Sequence, residues 1–166
     1  MAQWINSDGL VIQLGETEAT LGKGGSYEDV VGGSIVTEFV LNFGDIPLTT
    51  PTVVDQSVVL PSGYILESVE LIAETAVTSG GAATIDFGLQ RLDRTTELDY
   101  NGIVAALAIT ALNAAGKRVV IQNGSTGAGA LFNGTATSFP GVFTANALVA
   151  ALTAGKVRVK LYAYKN

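Results

Sequence analysis

Three carboxylates, Asp93, Glu97 and Asp99, lie close together in the chain. Two acids held about 5–9 Å apart can hydrolyse a glycosidic bond. The same oxygens can ligate calcium. The basic neighbours Arg91 and Arg94 support a third reading, a solvated loop whose acids pair with them. Loop acids without a rigid supporting shell make poor sites, so the expectation is no catalytic residue, no metal and no cofactor. Other catalytic routes are closed by composition. The chain has no histidine and no cysteine, and Met1 is its only methionine. Histidine is the side chain that titrates near neutrality, so the commonest general acid/base is missing. Without thiolates there is no cysteine nucleophile, disulfide or zinc-cysteine site. Ser-His-Asp and Cys-His arrangements are excluded.

Two glycine-rich stretches invite a phosphate-loop reading and fail it. Gly124-Ser125-Thr126-Gly127-Ala128-Gly129 lacks the Gly-Lys-Ser/Thr ending and a strand-to-helix setting, and Gly22-Lys23-Gly24-Gly25 fails likewise. Both read as mobile loops. Trp4 and the tyrosines 27, 64, 100, 162 and 164 suit stacking on sugars or burial in a protein interface, and residue type does not separate the two. A formal charge of −6 argues against nucleic acid as partner. The late bases Lys117, Arg118, Lys156, Arg158, Lys160 and Lys165 read as solvent-facing strand positions. No apolar run is long enough to span a bilayer. Residues 1–8 lack the basic and hydrophobic regions of a signal peptide.

Any such residues must be positioned by strands. In 34–43, Ile35, Thr37, Phe39 and Leu41 alternate with Val36, Glu38, Val40 and Asn42. In 84–92, Ile85, Phe87 and Leu89 alternate with Asp86, Gly88 and Gln90. Val157, Val159, Leu161 and Ala163 alternate with Lys156, Arg158, Lys160, Tyr162 and Tyr164 in the clearest strand of all. Residues 52–60 also read as a strand; in 64–78 the spacing of Leu66, Val69, Ile72 and Ala73 would suit a helix, but the β-branched content favours a strand. The turn Ser79-Gly80-Gly81 predicts a hairpin joining 64–78 to 84–92. Residues 103–115 fit a short helix or a buried strand. Residues 146–154 fit one or two helical turns closed by Gly155. These elements predict an all-β antiparallel sandwich of jelly-roll type with one or two short helical segments. It forms a single domain over 1–166, with 1–9 as an N-terminal arm. Charged residues are 14% of the chain, against about 25% in a typical soluble domain. Either extra surface is buried against other subunits, or this is a β-protein with an unusually small-residue surface.

Residues 1–10, the acidic glycine-rich stretch after them, 88–100, 124–131 and the C-terminal strand together resemble small virion structural proteins of tailed, podovirus-like and marine bacteriophages. The resemblance covers most of the chain and is one of overall pattern, without a diagnostic catalytic motif. It implies a head decoration or cement protein: a β-sandwich oligomer, with a trimer expected, bound outside the capsid lattice. Its partners would be the major capsid protein and further copies of itself, not nucleic acid or membrane. Its location would be the virion surface, after synthesis in the bacterial cytoplasm. The alternative is a jelly-roll receptor- or carbohydrate-binding module of a tail fibre or spike. Candidate interface residues are Trp4, Ile5, Tyr27, Tyr162 and Tyr164, with the arm ordering as an added strand on a neighbour's sheet edge.

Overall fold

The computed structural model describes residues 2–5, 11–14, 26–29, 33–46, 48–49, 52–53, 59–93 and 96–166. Among these the strands are β1 (Ala2–Ile5), β2 (Val11–Leu14), β3 (Ser26–Asp29), β4 (Ser34–Asn42), β5 (Thr52–Val53), β6 (Val59–Leu60), β7 (Tyr64–Ser79), β8 (Thr84–Arg91), β9 (Glu97–Ala108), β10 (Arg118–Gln122), β11 (Gly141–Leu148) and β12 (Leu152–Lys165). Alternation builds the clearest of them. In β4 the residues 35, 37, 39 and 41 are buried and their neighbours are not, and β12 buries Val157, Val159, Leu161 and Ala163.

The strands form two facing antiparallel sheets. One has the order β10-β7-β12-β4-β3, and the other has β5-β11-β8-β9 with β6 also on β11. The pairings nest. β4 pairs with β12, β5 and β6 with β11, β7 with β10, and β8 with β9. The chain is thus one long hairpin rolled on itself, the jelly-roll arrangement. A cluster of four phenylalanines joins the sheets. Phe39 meets Phe143 edge-on at 4.9 Å, Phe143 lies 5.3 Å from Phe87, and Phe87 lies 6.2 Å from Phe43. All four are essentially fully buried, and these spacings suit aromatic pairs.

Three local expectations change. No α-helix occurs among the described residues; the helical segments are three single 3-10 turns, at Phe43–Asp45, Ile109–Ala111 and Ala130–Phe132. The helical turns predicted over 146–154 are instead the end of β11, a reversal and the start of β12. Asn146 and Ala147 pair with Asp86 and Ile85. Gly155 is no helix cap but a bulge position in β12, with φ 131°. A Cβ there would lie 2.7 Å from the Cα of Val77, so only glycine lets β12 cross β7 at that point. The 79–81 turn does not make a hairpin either. β7 is already flanked by β10 and β12, so the turn carries the chain across to the other sheet. The undecided segment 103–115 continues β9 to Ala108 and then turns. Within the expected arm, Ala2–Ile5 pair as β1 with β2 in a two-stranded sheet, and residues 1 and 6–9 lie outside the described residues.

Candidate assembly interface

Among the described residues of the acidic loop, each carboxylate bonds within its own turn. Asp93 accepts hydrogen bonds from the backbone N–H of Thr96 at 2.8 Å and from its hydroxyl at 2.6 Å. Asp99 accepts from the N–H of Asn101 at 3.3 Å, and Glu97 from that of Tyr100 at 3.5 Å. Each acid stabilises its own turn. Among the described residues, no group of three acids converges as metal ligands would. The Arg91 guanidinium stacks 3.7 Å above the Phe139 ring, beside the exposed Leu92. Arg94 and Gly22-Lys23-Gly24-Gly25 lie outside the described residues.

The second glycine-rich stretch, expected to be a mobile loop, is an edge lining. The N–H of Ala105 donates to the carbonyl of Gly127, and the N–H of Gly129 to that of Ile103, both at 3.0 Å. The segment therefore covers the free edge of β9, a device that keeps an edge from pairing with other chains. A Cβ on Gly129 would come within 2.3 Å of the Asn101 carbonyl oxygen. The glycines here permit backbone to lie on backbone.

The larger surface is the outer face of the β10-β7-β12-β4-β3 sheet. Strand register lays its side chains in cross-strand rows. One row runs Arg118, Ile72, Arg158, Val40; the next runs Val120, Glu70, Lys160, Glu38; a third runs Gln122, Ser68, Tyr162, Val36. Arg158 forms ion pairs with both Glu38 and Glu74, and Lys160 reaches Glu38 at 3.2 Å. Arg118 pairs with Glu70, which also accepts a hydrogen bond from the Tyr162 hydroxyl at 3.3 Å. Glu70 is only 6% exposed although it points away from the core, because these partners cover it. The guanidinium of Arg158 and then the ammonium of Lys160 hold the Glu38 carboxyl below the usual carboxylate range. Reciprocally, hydrogen bonds to Glu38 and Glu74 raise Arg158 above its already high value. The late basic residues on this face are thus largely neutralised by acids.

Of the candidate interface residues, Tyr27 and Tyr162 are both in backbone register with Val36. Tyr164 lies on the same strand and is exposed. Trp4 and Ile5 sit on β1, away from this sheet in the pairing order. The side chains of Trp4, Ile5 and Tyr27 lie outside the described ones. Two other tyrosines do not offer open stacking faces. Tyr64 is buried, and half-buried Tyr100 accepts a hydrogen bond from the Gln90 amide at 3.3 Å. The acids Glu38, Glu70 and Glu74 were not singled out by sequence reasoning. Their only signal is placement at alternate strand positions, and that has no meaning until the strand pairing is known.

No protein-family model matches the chain, and no curated protein matches it. Solved structures do. A chain from the capsid asymmetric unit of cyanophage Pam1 superposes with a TM-score of 0.52 at 17% identity, over 93% of this chain and 94% of that one. A chain from the acidic stable capsid structure of Helicobacter pylori bacteriophage KHP30 gives 0.51 at 15% identity, over 85% and 92%. At these identities what is shared is the fold, and it is shared along most of the length of this chain and nearly all of both neighbours.

Proposed function

We propose that the chain is a structural protein of a phage virion, a decoration or cement subunit on the outside of the head, without enzymatic activity. The observation that carries this reading is the extent of the match. The chain from the Pam1 capsid is covered over 94% of its length, so the correspondence is with an entire small jelly roll and not with one domain of a larger shell protein. Composition agrees. A subunit that packs against several neighbours needs less charge to cover its surface, and only 14% of these residues are charged. A ring of copies also multiplies modest contacts through effective concentration. A trimer fits a local three-fold axis of a shell.

The test is immunogold labelling and mass spectrometry of purified virions of the encoding phage. Label spread over the head with many copies per particle is expected. Label confined to the tail would replace this reading with a fibre or spike module, and absence from virions would refute both. Light scattering of the purified protein should give three times the chain mass.

A further inference from the structure

We infer that two copies of this chain pair through the edge strand β10, antiparallel across a two-fold axis at Val119. The inference goes beyond the virion reading and needs no capsid. Hydrogen-bond phase shows which backbone groups of β10 are spare. The N–H of Ala73 on β7 donates to the carbonyl of Lys117 at 2.8 Å. Bonded positions alternate along an antiparallel pair, so Val119 and Ile121 also turn their backbone groups toward β7. Arg118, Val120 and Gln122 turn theirs outward. Gln122 follows this phase: its N–H donates to the Ser125 hydroxyl at 3.1 Å, and its carbonyl accepts from the N–H of Ser125 at 3.0 Å. Among the described residues, no group does the same for Arg118 and Val120.

The two sheets treat this side of the sandwich differently. The edge of β9 is lined by Gly127 and Gly129. β10 ends the order β10-β7-β12-β4-β3, and no proline or register shift interrupts it. Val120 is 43% exposed on it. A regular edge with spare N–H and C=O groups and an exposed β-branched residue is a template for another strand.

The occupant is the β10 of a second copy, because this edge is its own complement. Outward groups must meet outward groups, which leaves three two-fold registers for Arg118 and Val120. Centring on Arg118 opposes two like charges and sets Val120 against Gly116, whose N–H is spent on the Ala73 carbonyl at 2.8 Å. Centring on Val120 sets Arg118 against Gln122, whose groups are spent on Ser125. Centring on Val119 sets Arg118 against Val120 of the mate twice, and every spare group is used. Side chains agree with this register. The Arg118 guanidinium is already held by Glu70, so its aliphatic stem is what covers the mate's Val120. Half-buried Val119, which packs against the core, meets its own copy on the inner face, and no charge loses its partner. The contact is short. It therefore forms at high concentration or where copies are crowded, and it adds to whatever oligomer exists in dilute solution.

The absence of cysteine makes disulfide trapping a clean test on the purified full chain. In this register Val119 faces its own copy as a non-hydrogen-bonded pair, with Cα atoms about 4.5 Å apart and within disulfide reach. The two Val120 positions are diagonal neighbours, roughly 7–8 Å apart and out of reach. On mild oxidation of concentrated protein, Val119→Cys should give a covalent dimer on a non-reducing denaturing gel at least tenfold faster than Val120→Cys. Random collision would favour the more exposed position 120. Dimer formed as fast in Val120→Cys, or in neither variant, overturns the inference. Val120→Pro removes an N–H that the pairing needs, at an edge position where proline is tolerated. Across a concentration series, light scattering should show the mass of the unmodified protein doubling from its dilute value. Val120→Pro should show no doubling, with its melting temperature unchanged. Doubling that survives in Val120→Pro overturns the inference. A marked fall in its melting temperature would mean that the Val120 N–H is already used within the chain, and overturns it too. Neither test involves virions, so failure of the virion reading leaves both results standing.

Discussion

Arg158 holds two carboxylates at once, and that arrangement makes the outer sheet face sensitive to acid. Glu38 has its carboxyl lowered by the hydrogen bonds from Arg158 and Lys160. A lowered folded-state value means the unfolded chain takes up the proton first as pH falls. The stabilisation is therefore complete above the ordinary glutamate value of about 4.3, and is lost as pH drops through the lower folded value. Side chains of the pair are 39% and 34% exposed, so the contribution is under about 1 kcal/mol. Glu38→Gln should lower the melting temperature slightly at pH 7, and the difference from the unmodified protein should shrink as pH falls below the ordinary glutamate value. A difference that grows in acid would contradict the assigned direction. Gly88 gives a larger effect for a different reason. A Cβ there would lie 2.1 Å from the carbonyl oxygen of Asp99 and 2.3 Å from the carbonyl carbon of Tyr100, because the β9 bulge folds over β8. Gly88→Ala should cost about 3 kcal/mol by overpacking. At Gly134, by contrast, the added Cβ meets nothing within 4 Å, and Gly134→Ala should cost only about 1 kcal/mol through its positive φ. Denaturant midpoints of the two variants would separate close approach from conformational preference.

At the level of elements, β12 carries the greatest weight because it is the middle strand between β7 and β4. Val159 is fully buried there, opposite Leu71 and Phe39. Val159→Asp places an unpaired carboxylate in the core and should leave the protein insoluble or unfolded at 25 °C; normal expression and melting would refute the assigned face. This strand and β4 were legible in the sequence because each buries one face and wets the other, so period two survives in the residue types; β8 was legible because the positions it hides on its second face, Gly88 and Gln90, are not apolar side chains. β11 was not legible. It is buried on both faces, with Thr144 and Asn146 hidden on the side opposite Phe143 and Ala145, and its alanines and asparagine carry no alternation. β7 was half legible: its register shifts against β12, and Glu70 is buried by partners on other strands. Partner choice was least legible of all. A tight Ser-Gly-Gly turn joins strands within a sheet or across two sheets equally well, and only the nested closure of the whole chain selects the second. The same limit hid which strand positions align: Tyr162 and Tyr27 share backbone register with Val36 of β4, a relation that sequence spacing does not contain.

The whole molecule is a nested hairpin, and nesting dictates an order of assembly. β8 and β9 are sequence neighbours, whereas Glu38 and Arg158, which pair across β4 and β12, are 120 residues apart. Closing the outer pair first would fix a loop containing most of the chain, while closing the inner pair first shortens every later closure. Folding should therefore proceed outward from β8–β9 and end with β12 seated between β7 and β4. With so much non-local pairing, refolding should take milliseconds to seconds. Two truncations at buried sites test the order. Val104→Ala removes methyls from β9 and Leu161→Ala empties part of β12; both residues belong to the same core. Each should destabilise enough, about 1–4 kcal/mol, for its effect to be divided between folding and unfolding rates. Stopped-flow tyrosine fluorescence should show that Val104→Ala mainly slows refolding, with a φ-value above about 0.5. Leu161→Ala should mainly speed unfolding, with a φ-value near zero. The reverse ranking would mean that the first and last strands meet early, and the sandwich would then close from its outer pair inward.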